Sequence, residues 1–212
     1  MSSSHLFLGC TRTLRSDWQD IIPEVAVPKN LKDPVKIQEA RDAAIAGLID
    51  LPILAYHDEI VLLNTQGEIV FHALGAAIKT GMQVANPTLV AGHPDAALLA
   101  VLASAFPAGL ATPPGEGQTQ LFGIDIKEEL RIAALAAGPK LREVCSFSHW
   151  RMPSNGPSRV FDVYEYVIPS EQRRQLTLSV LCTALGIAPP VTTTALDKAK
   201  VALNIAKAIG LV

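Results

Sequence analysis

FGIDIKEELRIAALAAGP, residues Phe122–Pro139, encodes a strand-to-helix corner. A short apolar run reaches Gly123, and Asp125, Glu128 and Glu129 then open a helix that Gly138 and Pro139 close. Acids in the first turn interact favourably with the positive end of a helix and satisfy its free amides. In α/β domains the corner after a strand is also where ligands commonly bind. The same acids therefore carry two expectations, a helix cap and a candidate active site. Capping is the simpler of the two.

On the N-terminal side, His5–Cys10 reads as a strand and Asp17–Lys32 as a polar, proline-punctuated excursion from the sheet. Asp33-Pro34 starts a helix, with Ile37, Ala40, Ala44 and Leu48 recurring at helical spacing and Pro52 stopping it. Ile53–Tyr56 and Ile60–Asn64 read as two strand segments, and Thr65-Gln66-Gly67 turns the chain into a third at Glu68–Leu74. His93-Pro94-Asp95 begins a helix so uniformly apolar through Phe106 that burial on several sides is expected. Ala108–Gln118 is a loop, and Thr119–Ile124 is the strand leading into the corner.

On the C-terminal side, Arg159–Val167 reads as a strand. Ser170 caps a helix whose leucine stripe, Leu178, Leu181 and Leu185, ends at Gly186. Thr194 and Asp197 open a last helix in the manner of a capping box, running to Ile209. The order predicts an α/β fold: a single domain over 1–212 with a mixed β-sheet and helices packed on it.

Hydrophobic residues make up 49 % of the 212, which excludes a disordered chain and allows a sizeable core. A formal net charge of −2 gives no overall basic field for nucleic acid. Cys10, Cys145 and Cys182 are far apart and unpaired in number, so they encode neither a disulfide framework nor a zinc motif. Inert thiols in a reducing, cytoplasmic setting are expected. No run of roughly 20 apolar residues suggests a membrane span.

Smaller clusters have plain readings. His57-Asp58-Glu59 lies between two strand segments and is read as an exposed turn. Cys145, Ser146 and His149 lack an orienting partner for nucleophilic chemistry. Gly115-Glu116-Gly117 lacks the lysine of a phosphate loop. Arg173-Arg174, next to Glu171, caps or solvates a helix in the simpler reading and forms a basic docking spot in the sharper one. Lys200, Asn204 and Lys207 form a stripe on the last helix, solvated in the simpler reading and phosphate-contacting in the sharper one.

Four phrases together resemble one family: LFLGCTRT (6–13), FGIDIKEELRIAALAAG (122–138), RVFDVYEYV with LTLSVLCTALGIAPP (159–167, 176–190), and TTALDKAKVALNIAKAI (193–209). They are similar to the DnaQ-like 3′–5′ exonucleases, in particular the PolB-like members of phages and bacteria. The resemblance implies an RNase H-like exonuclease architecture, with residues of about 17–50 as an insertion.

The resemblance also implies a site of about four carboxylates holding two divalent metals. Its first acidic pair falls on Gly9 and Thr11, its second-motif acid on Glu129, its third on Lys198, and the histidine before the third on Thr193. Only Glu129 is acidic. Asp162 matches an acid of the late strand and is read as structural. A shifted register would recruit Asp17, Asp125 or Asp197 beside Glu129 and bind magnesium or manganese.

The leading expectation is thus an exonuclease-like protein without catalysis or cofactor, binding a protein partner or a nucleic-acid end, with Lys200 and Lys207 as weak nucleic-acid contacts. An active, rearranged nuclease and a structural or assembly protein that associates with itself are the alternatives.

Overall fold

Leu6–Leu14 forms β1, the strand around which the sheet is laid. In this computed structural model the described residues are 5–14, 18–75, 89–90, 94–107, 109–110, 118–137, 159–168, 177–189 and 194–212. β1 is longer than its apolar run, because Thr11–Leu14 continue the ladder with β2 (Ala55–Leu63). β2 returns antiparallel, and β3 (Ile69–Leu74) follows it through a turn in which Gly67 takes φ 83°. Beyond lie β4 (Leu89–Val90), β5 (Leu121–Gly123) and β6 (Val160–Asp162). Among the described residues the sheet order is β4-β3-β2-β1-β5-β6, with β5 parallel to β1 and β6 parallel to β5.

The sheet is covered on both faces, as expected for a mixed α/β domain. On one face Leu8, Cys10, Ile60 and Leu62 pack against Leu98, Leu99 and Leu102 of the helix Pro94–Ala105 and against Ile126, Leu130 and Ala133 of Ile126–Ala137. On the other, Phe7, Val61, Leu63 and Phe122 meet Val163, Leu181 and Cys182, together with Ala195, Ala199, Ala202 and Ile205 of the last helix. In chain order the helices are α1 (Trp18–Ile21), α2 (Pro34–Gly47), α3 (Pro94–Ala105), α4 (Ile126–Ala137), α5 (Val163–Val167), α6 (Leu178–Ala184) and α7 (Ala195–Ala208).

α7 lies unusually close to the sheet, and Gly9 is the reason. A Cβ at Gly9 would stand 1.9 Å from the Ala195 carbonyl oxygen and 2.5 Å from the Ala199 amide nitrogen. Small residues on both elements let the two backbones touch.

Several local signals act as expected. Asp33 Oδ1 accepts from Val35 N at 2.9 Å, with Pro34 in the first turn of α2. Thr194 Oγ1 accepts from Asp197 N at 3.1 Å and donates to Asp197 Oδ2 at 2.7 Å, closing the start of α7. α6 ends where Gly186 takes φ 68°.

Two readings need correction. β2 is one continuous strand, so no turn separates Ile53–Tyr56 from Ile60–Asn64. The segment expected as a strand over Arg159–Val167 stops at Asp162, whose carboxylate accepts from the amides of Tyr164 and Glu165 and so starts α5. α3 is open only along a strip at Ala100 and Ser104; Ala97, Val101, Ala103 and Ala105 are half-buried against the core, so the helix is covered on several sides. α2 has no buried residue; its stripe at Ile37, Ala40 and Ala44 is half-covered, and only Leu48, in the short 3-10 turn after it, is buried. Ser170 lies outside the described residues. Among the described residues no helix is long and apolar enough to cross a membrane.

Candidate functional site

Beside the carboxyl ends of the parallel strands β1 and β5 the sheet opens into a cleft of about 370 Å³, lined by Thr11, Arg12, Ile49, Asp50, Asp125, Glu129 and Lys198. Three of the four positions marked by the family resemblance, Thr11, Glu129 and Lys198, therefore share one cleft. Gly9 is on the same strand as Thr11, but its outward side is filled by the backbone of α7.

Of the alternative acids that are described, Asp125 joins Glu129 in the cleft lining and Asp197 does not. Asp125 lines the cleft, at a left-handed φ of 51°, and its carbonyl accepts the Glu128 and Glu129 amides at 2.9 and 3.2 Å. Asp197 is engaged by Thr194 at the start of α7. Lys200 and Lys207 are exposed, as is Asn204 between them, which fits a solvated stripe. Asp17, Thr193, Cys145, Ser146, His149, Arg173, Arg174 and the Gly115–Gly117 loop lie outside the described residues.

Glu129 is not a helix-capping acid. It is 5 % exposed and points from the first turn of α4 under the sheet. Its Oε2 accepts from Arg12 Nε at 3.0 Å and meets His57 Nε2 at 2.8 Å. The other ring nitrogen, His57 Nδ1, is hydrogen-bonded to Asp95 Oδ1, while the His57 amide donates to Asp95 Oδ2 at 3.0 Å. Arg12 also approaches Asp50, at 3.9 Å.

His57 reaches this network through a β-bulge. Thr11 pairs with Glu59 and the next residue, Arg12, pairs with His57, which leaves Asp58 as the extra residue. By simple alternation His57 would face α7 with Glu59 and Val61. The bulge turns it to the opposite face, beside Cys10 and α3; re-aiming a side chain is a recurrent use of bulges next to sites. The tripeptide His57-Asp58-Glu59 is thus no exposed turn. His57 is buried, Asp58 is exposed, and Glu59 faces α7, where its carboxylate accepts from the Ala195 amide at 3.2 Å and pairs with His72 at 2.9 Å.

Burial alone would favour a neutral His57 ring. The Cys10 sulfur and hydrogen bonds to Asp95 and Glu129 outweigh it, and the ring's pKa stands well above the ordinary histidine value. An imidazole between two carboxylates satisfies both only by donating from both nitrogens. Burial would likewise raise Glu129, but His57 and then Arg12 hold its carboxyl below the ordinary range. Burial pushes the Cys10 thiol up, against the pull of His57. The network then balances the cations Arg12 and His57 with the anions Asp95 and Glu129, as buried charges require.

Asp50 and Asp125 line the cleft beside the marked positions. Of the positions marked by the resemblance, Gly9 has no room for a side chain, Thr11 and Lys198 carry no negative charge, and Glu129 is neutralised from within. The donors that do converge are of a different kind: Cys10, His57 and Glu129 place sulfur, nitrogen and oxygen atoms within 4.8 Å of one another.

Comparison with protein-family models, with curated proteins and with solved structures finds no match for this chain.

His57 and Asp95 carry a signal within the sequence itself. Each is the sole polar residue on the buried side of an otherwise apolar stretch, and such residues are buried only with partners. Cys10 and Arg12 gave no such signal, since each becomes part of the site only through the tertiary fold.

Proposed function

We propose that this chain is a non-catalytic, exonuclease-like protein that binds a protein partner through the cleft beside Glu129. One observation carries the reading: the single acid at the four marked positions is held by His57 and Arg12 of the same chain. A two-metal hydrolase needs several free carboxylates around its ions. Here cationic side chains take up the one that remains, and Lys198 adds a further positive charge to the same cleft.

The choice of partner follows from the lining. Arg12 and Lys198 face Asp50, Asp125 and Glu129, so the cleft has mixed sign with an acidic excess. A polyanion gains nothing from such a surface, whereas a polypeptide segment bearing both charges can pair with it. The exposed Lys200 and Lys207 lie outside this lining. Free, buried thiols at Cys10 and Cys182 suit a cytoplasmic setting.

The decisive experiment is incubation of the purified chain with end-labelled single-stranded DNA and magnesium or manganese. No shortening is expected, in the wild type or in Glu129→Ala. Metal-dependent degradation that Glu129→Ala abolishes would overturn the reading in favour of a rearranged nuclease. Fluorescence anisotropy with the same DNA supplies the other arm: tight binding without cleavage would make the partner a nucleic acid.

A further inference from the structure

Cys10 on β1, His57 on β2 and Glu129 on α4 bring three different donor types to one point, all within 4.8 Å. We propose that Cys10 Sγ, His57 Nε2 and the Glu129 carboxylate bind one zinc ion, or another borderline divalent cation, between the sheet and the cleft. The proposal goes beyond the binding role above and does not depend on it.

Four features support a site rather than a chance cluster. The first is donor chemistry. Thiolate, imidazole and carboxylate suit zinc, while magnesium and calcium select oxygen alone.

The second is geometry. Zinc bond lengths of about 2.0–2.3 Å set tetrahedral ligand atoms roughly 3.5 Å apart. His57 Nε2 and Glu129 Oε2, now 2.8 Å apart, need only separate by less than about 1 Å to admit the ion.

The third is the support behind His57. Asp95, fully buried on α3, binds Nδ1 and accepts the His57 amide, fixing the ring so that Nε2 meets Glu129. A carboxylate on the far nitrogen of a metal-ligating histidine is the usual supporting arrangement. The bulge at Asp58 that turns His57 to this face serves the same end.

The fourth is access. Glu129 also lines the cleft, which provides an entry path.

The test uses the full chain stripped with chelator and titrated with zinc by calorimetry and with cobalt by absorption. One ion per chain is expected, with a thiolate-to-cobalt charge-transfer band and no competition from excess magnesium. Cys10→Ser should remove the band, and Asp95→Asn should weaken zinc binding by about 10–100-fold, with unchanged circular dichroism in both.

Zinc K-edge absorption on the wild type needs no variant. A shell with one sulfur and one imidazole supports the site, even if a variant fails to fold. The proposal is overturned if the folded, stripped chain takes up no zinc, if the shell lacks sulfur, or if the band survives Cys10→Ser and so belongs to Cys145 or Cys182.

Discussion

His57 Nε2 and Glu129 Oε2 stand 2.8 Å apart, joining a strand to a helix that begins a separate part of the chain. Both side chains are almost wholly buried, and Arg12 holds the same carboxylate oxygen at 3.0 Å. Removing one member leaves the others charged, with His57 and Asp95 wholly buried. Glu129→Ala is therefore expected to lower the stability of the metal-free chain by about 3–5 kcal/mol, the usual result of breaking a buried pair from one side. Urea unfolding of Glu129→Ala, His57→Gln and the double variant measures it. The double variant should lose less than the sum of the two, by a coupling of about 0.5–3 kcal/mol.

The same pair sets a pH profile. His57 binds its proton more tightly in the folded chain, so its contribution is complete below the ordinary value of 6.5 and is lost as pH rises through the raised folded value. Glu129, held below its ordinary 4.5, contributes fully above that value and loses its contribution as pH falls through the lowered one. Stability should therefore peak between these ordinary values and decline on the alkaline side, by at most about 1.4 kcal/mol per pH unit for one proton. Urea midpoints across the range test this. His57→Gln should flatten the alkaline limb, and an unchanged slope would remove His57 as its cause.

Helix α7 rests on Gly9 at a distance that leaves no room for a methyl group. Gly9→Ala must push the helix off β1 and is expected to cost about 1–3 kcal/mol, the range for overpacking a filled core. Gly47, at the end of α2, has open space around its Cβ position and a φ of −70°. Gly47→Ala should be neutral or stabilise the chain by about 0.4–1 kcal/mol, through the unfolded state. Thermal denaturation of the two variants side by side separates steric contact from glycine content.

The legible parts of this chain were those governed by neighbours in sequence. Asp33-Pro34, the Gly67 turn, Gly186 and the Thr194–Asp197 box all act locally, and each lies where its chemistry suggests. Elsewhere a competing local contact or long-range packing decided the outcome. The strand expected over Arg159–Val167 has the right composition, but one local competitor, the Asp162 carboxylate, turns it into a helix start. His57-Asp58-Glu59 looked like a turn because three polar residues interrupt an apolar run. In the fold a bulge sends them in three directions, and two of them find buried partners. Glu129 has the sequence position of a helix cap and the environment of a core residue. Only its contacts with β1 and β2, made by residues 117 and 72 positions away, distinguish the two.

Restoring acids at the marked positions provides a final prediction, because it separates a missing charge from a closed site. Thr11→Glu with Lys198→Asp would bring two carboxylates to the cleft that Glu129 lines. If charge alone were lacking, manganese-dependent nuclease activity should appear. No cleavage above background is expected, for two reasons that the substitutions leave in place. Glu129 remains bound by His57 and Arg12, and Gly9 cannot accept a carboxylate while α7 lies on it. Magnesium prefers near-ideal octahedral oxygen geometry, so a partly rebuilt ligand set gains little. Calorimetry with manganese and a cleavage assay on labelled DNA read the outcome. Measurable cleavage would mean that Glu129 exchanges its internal cations for metal readily, and the non-catalytic reading would then fail with it.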